Sequence, residues 1–344
     1  IVFKQRIIIA LFAVVMAALL LSACGAKVTP AAEFTGQPTV APTLTPIPYE
    51  EFASAAVLPA DPEQLAQLTR LLSLVPESYA STMYLDMAFL RSNVALNALI
   101  NPESLGLNVA LPSLETGLVD TIAVAVDFQT RSLVTPFQGD FAIADMLRLA
   151  SGFGLDLNSG GPQPYEEHDV WGIDALGLVL AIAEADETTG VAASGRGVTA
   201  IEARALAEAS LDSFDGRSAG LLSAPGLVDL VSDVPSGFAA VVLAECERLP
   251  LFADAQGLPG CTAAVVTADV LRNDLIVIHA LMGFADQNQA LAAMRQATET
   301  LENQKRSYGF ADLGTRQEGQ NLRVRVIVDV SKFTDAFRLF TPGS

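Results

Sequence analysis

Gly216-Arg217-Ser218-Ala219-Gly220 reads G-x-S-x-G, the spacing in which a serine hydroxyl can be held up as a nucleophile. Acyl transfer by such a serine needs a base to take its proton and N–H donors to hold an oxyanion. His279 lies downstream, in the chain order a triad would use. The chemistry also needs the serine on a sharp strand-to-helix turn. Ser218 instead follows a helical stretch and stands in a Ser- and Gly-rich connection, while His279 falls inside the apolar run Leu275–Leu281, where a packed strand residue is expected. Hydrolysis through Ser218 therefore stays an alternative, and no catalytic residue is assigned.

Asp156-Leu157-Asn158-Ser159-Gly160-Gly161, with Glu167 at the twelfth position, partly follows the oxygen spacing of a calcium loop. It has Gly160 at the fifth position and Pro162 and Pro164 where the loop should turn, so a solvated connection is the better reading. Glu166-Glu167-His168-Asp169, read as strand, would place Glu166 and His168 on one side and Glu167 and Asp169 on the other. Two ligands per side do not close a metal site, and a charged edge that discourages strand pairing is the favoured reading. No phosphate loop, dinucleotide fingerprint, S-x-x-K or H-E-x-x-H occurs, and only two histidines are present. No metal ligand, cofactor or cofactor-binding residue is assigned.

The three cysteines carry more information. Cys246 ends one apolar run, Ala239 to Ala244, and Cys261 begins the next, Thr262 to Val266, so the pair is placed to clamp the base of a hairpin loop. In an oxidising compartment two such cysteines pair. A zinc or redox site would want closer spacing or nearby histidines.

Cys24 closes an N-terminal segment of different character. Lys4 and Arg6 precede an uninterrupted apolar run, Ile7 to Leu21, and Leu21-Ser22-Ala23-Cys24 places small residues before the thiol. The segment resembles a bacterial lipoprotein signal, which implies cleavage before Cys24 and a diacylglycerol on its sulfur. As a plain membrane span the run of 15 residues is short, since a hydrocarbon core needs roughly 20. Two acyl chains on one residue suffice as an anchor. Gly25 to Glu50 then interleaves Pro30, Pro38, Pro42, Pro46 and Pro48 with five threonines, a composition that reads as a tether reaching on the order of 80 Å in polyproline II.

Removal of residues 1–23 takes Lys4 and Arg6 and no acid, leaving 18 basic against 39 acidic residues, a net charge of −21. That balance excludes nucleic acid, whose phosphates need a basic footprint, and docking on anionic head groups. Membrane contact is expected only through the lipid on Cys24.

Local signals in the remainder mix helices and strands. Asp61-Pro62-Glu63-Gln64 opens a helix over 63–73, Thr199-Ala200-Ile201-Glu202 opens one over 200–211, and Asp286 with Gln289 caps a long helix ending near Gln304. Asn321 to Val330 alternates Leu322, Val324, Val326 and Val328 inward with Arg323 and Arg325 outward, the period of a strand wet on one face. A weak internal duplication matches Leu74–Leu85 to Asp233–Ala244, Leu133–Ala150 to Val277–Leu301, Tyr165–Trp171 to Tyr308–Gly314, and Leu178–Ile182 to Leu322–Val326.

The order Val75-Pro76 before a strand, Gly139-Asp140-Phe141 before a helix, the Tyr-led strand Tyr165–Trp171, the hairpin Leu178–Ser194 and the helix Ala200–Leu211 resembles an uncharacterised bacterial family of extracytoplasmic lipoproteins with duplicated α+β modules. The resemblance implies an α+β fold of two tandem repeats, mainly antiparallel sheet with helices packed on one face, and carries no activity. The expected organisation is a signal over 1–23, lipidated Cys24 and tether over 24–50, a first module over 51–217 and a second over 218–344. The expected function is that of a non-catalytic binding or interaction protein, lipid-anchored on the outer face of the cell membrane or in the cell envelope, with an unknown protein or apolar ligand as partner. Carriage of an apolar or lipid ligand is the alternative within binding.

Overall fold

The computed structural model describes residues 61–93, 96, 119–127, 129–140, 142–143, 161–175, 178–195, 197–246, 249, 260–272 and 275–340. The expected signal, the tether, Cys24 and the loop from Asp156 to Gly160 lie outside the described residues.

Helix α1 (Pro62–Ser73) starts where its sequence says it should. The Asp61 side chain accepts from the Glu63 N–H, and proline occupies the first turn, where no N–H partner is lost. Its buried stripe is Leu68, Leu71 and Leu72, and full burial of each leucine contributes about 1.5–3 kcal/mol. Strand β1 (Ser81–Asp86) follows, and Asp86 caps the short α2 (Met87–Ser92) by accepting from the Phe89 N–H. Then come β2 (Thr121–Asp127), β3 (Ser132–Gln138), β4 (Gln163–Tyr165), β5 (His168–Ala175), β6 (Leu178–Glu184) and β7 (Thr189–Gly195).

Helix α3 (Ala200–Phe214) opens with a complete capping box between Thr199 and Glu202. A 3₁₀ turn and α4 (Leu227–Asp233) lead to β8 (Ala239–Leu243), β9 (Cys261–Arg272) and β10 (Leu275–Phe284). Asp286 caps α5 (Gln287–Tyr308), which ends at Gly309 with φ 66°, a conformation that costs glycine least. Strands β11 (Phe310–Glu318) and β12 (Asn321–Asp329) form a hairpin, and α6 (Phe333–Phe337) comes last.

The twelve described strands join one antiparallel sheet in the order β11-β12-β10-β9-β8-β1-β2-β3-β7-β6-β5-β4. The α+β class with an antiparallel sheet is therefore as the sequence implies. Two details differ. Helices pack on both faces rather than one: Ala263, Val265 and Leu281 share a core with α1, α3 and α4, whereas Ala264, Val266 and Ile278 share the opposite core with α5 and α6. The reason is in the strands themselves, since every position of β8 is apolar and buried, leaving no wet face. Likewise Arg325, expected to point to water, is 1% exposed, and Ile327 beside it is also buried.

The second difference concerns strand equivalence. β12 lies beside β10, and β7 lies beside β3. In the sheet β12 and β11 follow β10 outward as β7 and β6 follow β3, an order that sets β12 with β7 and β11 with β6, where the sequence match sets them with β6 and β5. The hairpin β4–β5 is extra, added at the edge, where Pro164 in β4 leaves no ladder hydrogen bond wanting.

Candidate functional site

Ser218 stands between α3 and the 3₁₀ turn Leu221–Ser223, a helix-to-helix link rather than a strand-to-helix elbow. Its N–H donates to the Asp212 carbonyl at 3.1 Å, and the neighbouring Ala219 carbonyl accepts from the Glu77 N–H. Its φ is not positive, so the strained nucleophile geometry is missing. His279 lies in β10, three strands from β1, with Thr267 and Arg325 as its cross-strand neighbours. Neither is a carboxylate that could orient a catalytic imidazole. Ser218 and His279 thus sit on separate elements, and among the described residues no hydrogen bond joins them.

The other histidine does meet an acid. His168 Nε2 lies 2.8 Å from Asp215 Oδ2 and its Nδ1 lies 3.1 Å from the Glu184 carbonyl oxygen. Both ring nitrogens thus sit within hydrogen-bond distance of an oxygen, and the ring links Asp215 to the Glu184 carbonyl. Tyr165 Oη donates to Asp212 at 2.9 Å, and Arg217 reaches Asp212 and Asp215, both at 2.7 Å, with its guanidinium over the Tyr165 ring. The cluster staples the end of α3 to the edge hairpin β4–β5. Asp212 and Asp215 were not singled out in the sequence, although a signal existed: acids at a helix C-terminus oppose the macrodipole and call for cationic partners.

Glu166 and Glu167 turn out to be the two turn residues of that hairpin, with Tyr165 paired to His168 and Glu166 at φ 50°. The side-to-side alternation expected for Glu166–Asp169 therefore does not hold, because the chain reverses there. Among the described residues no group of three or more His, Cys, Asp or Glu side chains could hold a metal ion.

A second polar set crosses the sheet on the face of α1, α3 and α4. In register stand Tyr84, Ala240, Thr267, His279 and Arg325. Burial, then Arg325 and Arg323, push the His279 pKa down to about 4. On the same face of β9, burial pushes Asp269 up to about 6 against one hydrogen bond from the Val270 N–H. Their pH effects have opposite signs. The His279 contribution is complete above the unfolded value of about 6.5 and is lost as pH falls towards 4. Asp269 binds its proton more tightly when folded, so its contribution is complete below about 3.8 and is lost as pH rises through 6. Asp269→Asn is accordingly expected to raise stability at pH 7 and to leave it unchanged below pH ~4, read from urea midpoints across that range.

Cys246 and Cys261 are joined in a disulfide, with Cα atoms 5.5 Å apart, both buried in the core beneath α5. Among the described residues no helix is long and apolar enough to cross a membrane, which says nothing of strands.

The chain matches no protein-family profile and no curated protein. It is similar to solved structures of TP0453, a Treponema lipoprotein. Crystal form I is 11% identical with a TM-score of 0.49, covering 79% of this chain and 98% of that one. Crystal form III is 9% identical with a TM-score of 0.46, covering 78% and 97%.

Proposed function

We propose that this protein is a lipid-anchored, extracytoplasmic, non-catalytic interaction protein that holds a duplicated α+β unit away from the membrane on a Pro/Thr-rich tether. The observation that carries the reading is the Cys246–Cys261 bond, because a buried structural disulfide belongs to an oxidising compartment. It agrees with Cys24 as the residue that takes the lipid. The duplication is supported by the strand orders β1-β2-β3-β7-β6 and β8-β9-β10-β12-β11, which mirror one another about the β1·β8 pair. The units 51–217 and 218–344 would then be two halves of one sheet.

Interaction is favoured over carriage of an apolar ligand by the way the helices seat. α3 meets the sheet through Ala203 and Ala207, and α5 through Ala290, Ala293 and Ala297, all nearly or fully buried. Small side chains let helix and sheet approach closely and leave no slot for an acyl chain at these contacts. The non-catalytic part is supported by the setting of Ser218, whose helix-to-helix link lacks the strained strand-to-helix turn that a serine nucleophile needs.

The test is metabolic labelling with radioactive palmitate in the native host, followed by a fluorophosphonate probe on the membrane fraction. Label on the parent chain, lost in Cys24→Ala together with membrane retention, and silence of the probe at Ser218 are the expected results. An unlabelled chain that still carries residues 1–23, or a probe adduct on Ser218, overturns the proposal.

A further inference from the structure

Tyr84 pairs with Ala240 across β1 and β8, and Ala240 pairs with Thr267 across β8 and β9. The tyrosine and the threonine therefore leave the same face of the sheet on either side of a methyl group. Over that methyl lies a cavity of about 10 Å³, roofed by Gln64, Leu65 and Leu68 of α1 and walled by Val234, Pro235, Ser236 and Gly237. A cavity of about that size admits one water molecule.

Two of its lining groups have nothing to bond. Tyr84 and Thr267 are each 1% exposed, and among the described residues neither Tyr84 Oη nor Thr267 Oγ1 has a hydrogen-bond partner. The other polar side chains around it are engaged elsewhere: Ser236 Oγ accepts from the Asp61 N–H at 2.8 Å, and Gln64 Nε2 donates to Asp86 Oδ2 at 3.4 Å. Buried hydroxyls are paired in folded proteins, by protein or by ordered water. Neighbouring strands lie about 4.8 Å apart, so the Tyr84 and Thr267 backbones stand about 10 Å apart. A tyrosine side chain and one water are together long enough to span that distance. Burial and the Asp86 carboxylate push the Tyr84 pKa up, so the phenol keeps its proton and serves as the donor.

We propose that this cavity is a binding site for a single ordered water, which accepts from Tyr84 Oη and bridges to Thr267 Oγ1, tying β1 to β9 over the top of β8. It would also explain why a small residue stands at position 240, since any larger side chain would occupy the water's place.

The test is a double-mutant cycle on the full chain in mild detergent, with Tyr84→Phe, Thr267→Val and the pair together, alongside a crystal structure of the parent. Phenylalanine and valine keep the shapes of the residues they replace, so the variants fold. Each single change is expected to lower the folding equilibrium constant about fivefold, and the double change to lower it scarcely further, because the second hydroxyl loses its purpose once the bridge is gone. The parent structure is expected to show a water oxygen within about 3.2 Å of both atoms. A folding constant unchanged or raised by Tyr84→Phe, single effects that add, or a dry cavity each overturn the assignment. A dry site would make Tyr84 Oη a buried orphan, and its removal would then stabilise the fold.

Discussion

Replacing Cys246 and Cys261 together by serine is expected to lower the unfolding free energy by about 3 kcal/mol. The bond closes a loop of sequence separation 15 at the loop end of the β8–β9 pair. In the reduced chain that loop regains its freedom when unfolded, and the loss on folding follows from chain entropy. Both positions are nearly fully buried in the core under α5, so the serine hydroxyls add a cost of their own by leaving water. Urea unfolding with and without dithiothreitol separates the two contributions. Reductant is expected to move the parent midpoint down and to leave the double variant where it is. A parent whose midpoint ignores the reductant while its thiols titrate would show that the cystine stabilises nothing.

Gly237→Ala is expected to cost about as much, roughly 1–3 kcal/mol or more by the magnitudes of overpacked cores. A Cβ built at Gly237 would stand 2.2 Å from the Ala268 carbonyl oxygen and 2.7 Å from the Ala268 carbonyl carbon. Those are backbone atoms of β9 in mid-sheet, paired on either side with β8 and β10, and they cannot rotate away as a side chain would. Either the Val234–Gly237 connection lifts off the sheet, unseating the start of β8, or β9 bends. Gly172→Ala is the control: a Cβ there meets nothing within 4 Å, and a strand accepts alanine at least as well as glycine. Equal midpoints for the two variants would show that the close approach at Gly237 is not a constraint on the fold.

What could be read from the chain alone follows a physical boundary. Asp61, Thr199 and Asp286 cap the helices they were expected to cap, and the Leu322, Val324, Val326 and Val328 side of β12 enters the core. A cap, a turn or a period of two is settled by residues within one or two turns of each other, where the chain's own hydrogen-bonding choices are few. The other side of β12 misled. Arg323 and Arg325 in alternation look like a solvated face, but the structure buries Arg325, and alternation alone does not say whether a polar face is wet or covered.

The site residues divide along the same line. His168 was visible as a charged neighbour of Glu166 and Glu167, but its partner Asp215 is 47 residues away in the chain, and no spacing links a strand residue to the end of a later helix. Thr267 and Tyr84 were unremarkable in sequence. Only a sheet that places β8 between them, and a helix that closes over Ala240, turns two ordinary hydroxyls into one cavity.

By itself the sequence determined the acidic charge, the α+β class, the starts of α1, α3 and α5 and the cysteine pair, because composition and short-range pattern suffice for those. The tertiary structure alone decided that β1 meets β8, that β7 and not β6 lies beside β3, and that helices cover both faces of the sheet. Once hairpins have formed, any free strand edge can pair with any other, and strands apolar on both sides give no preference for one face. The choice then falls to which arrangement buries α1, α3, α4 and α5 together, a property of the whole chain that no local window contains.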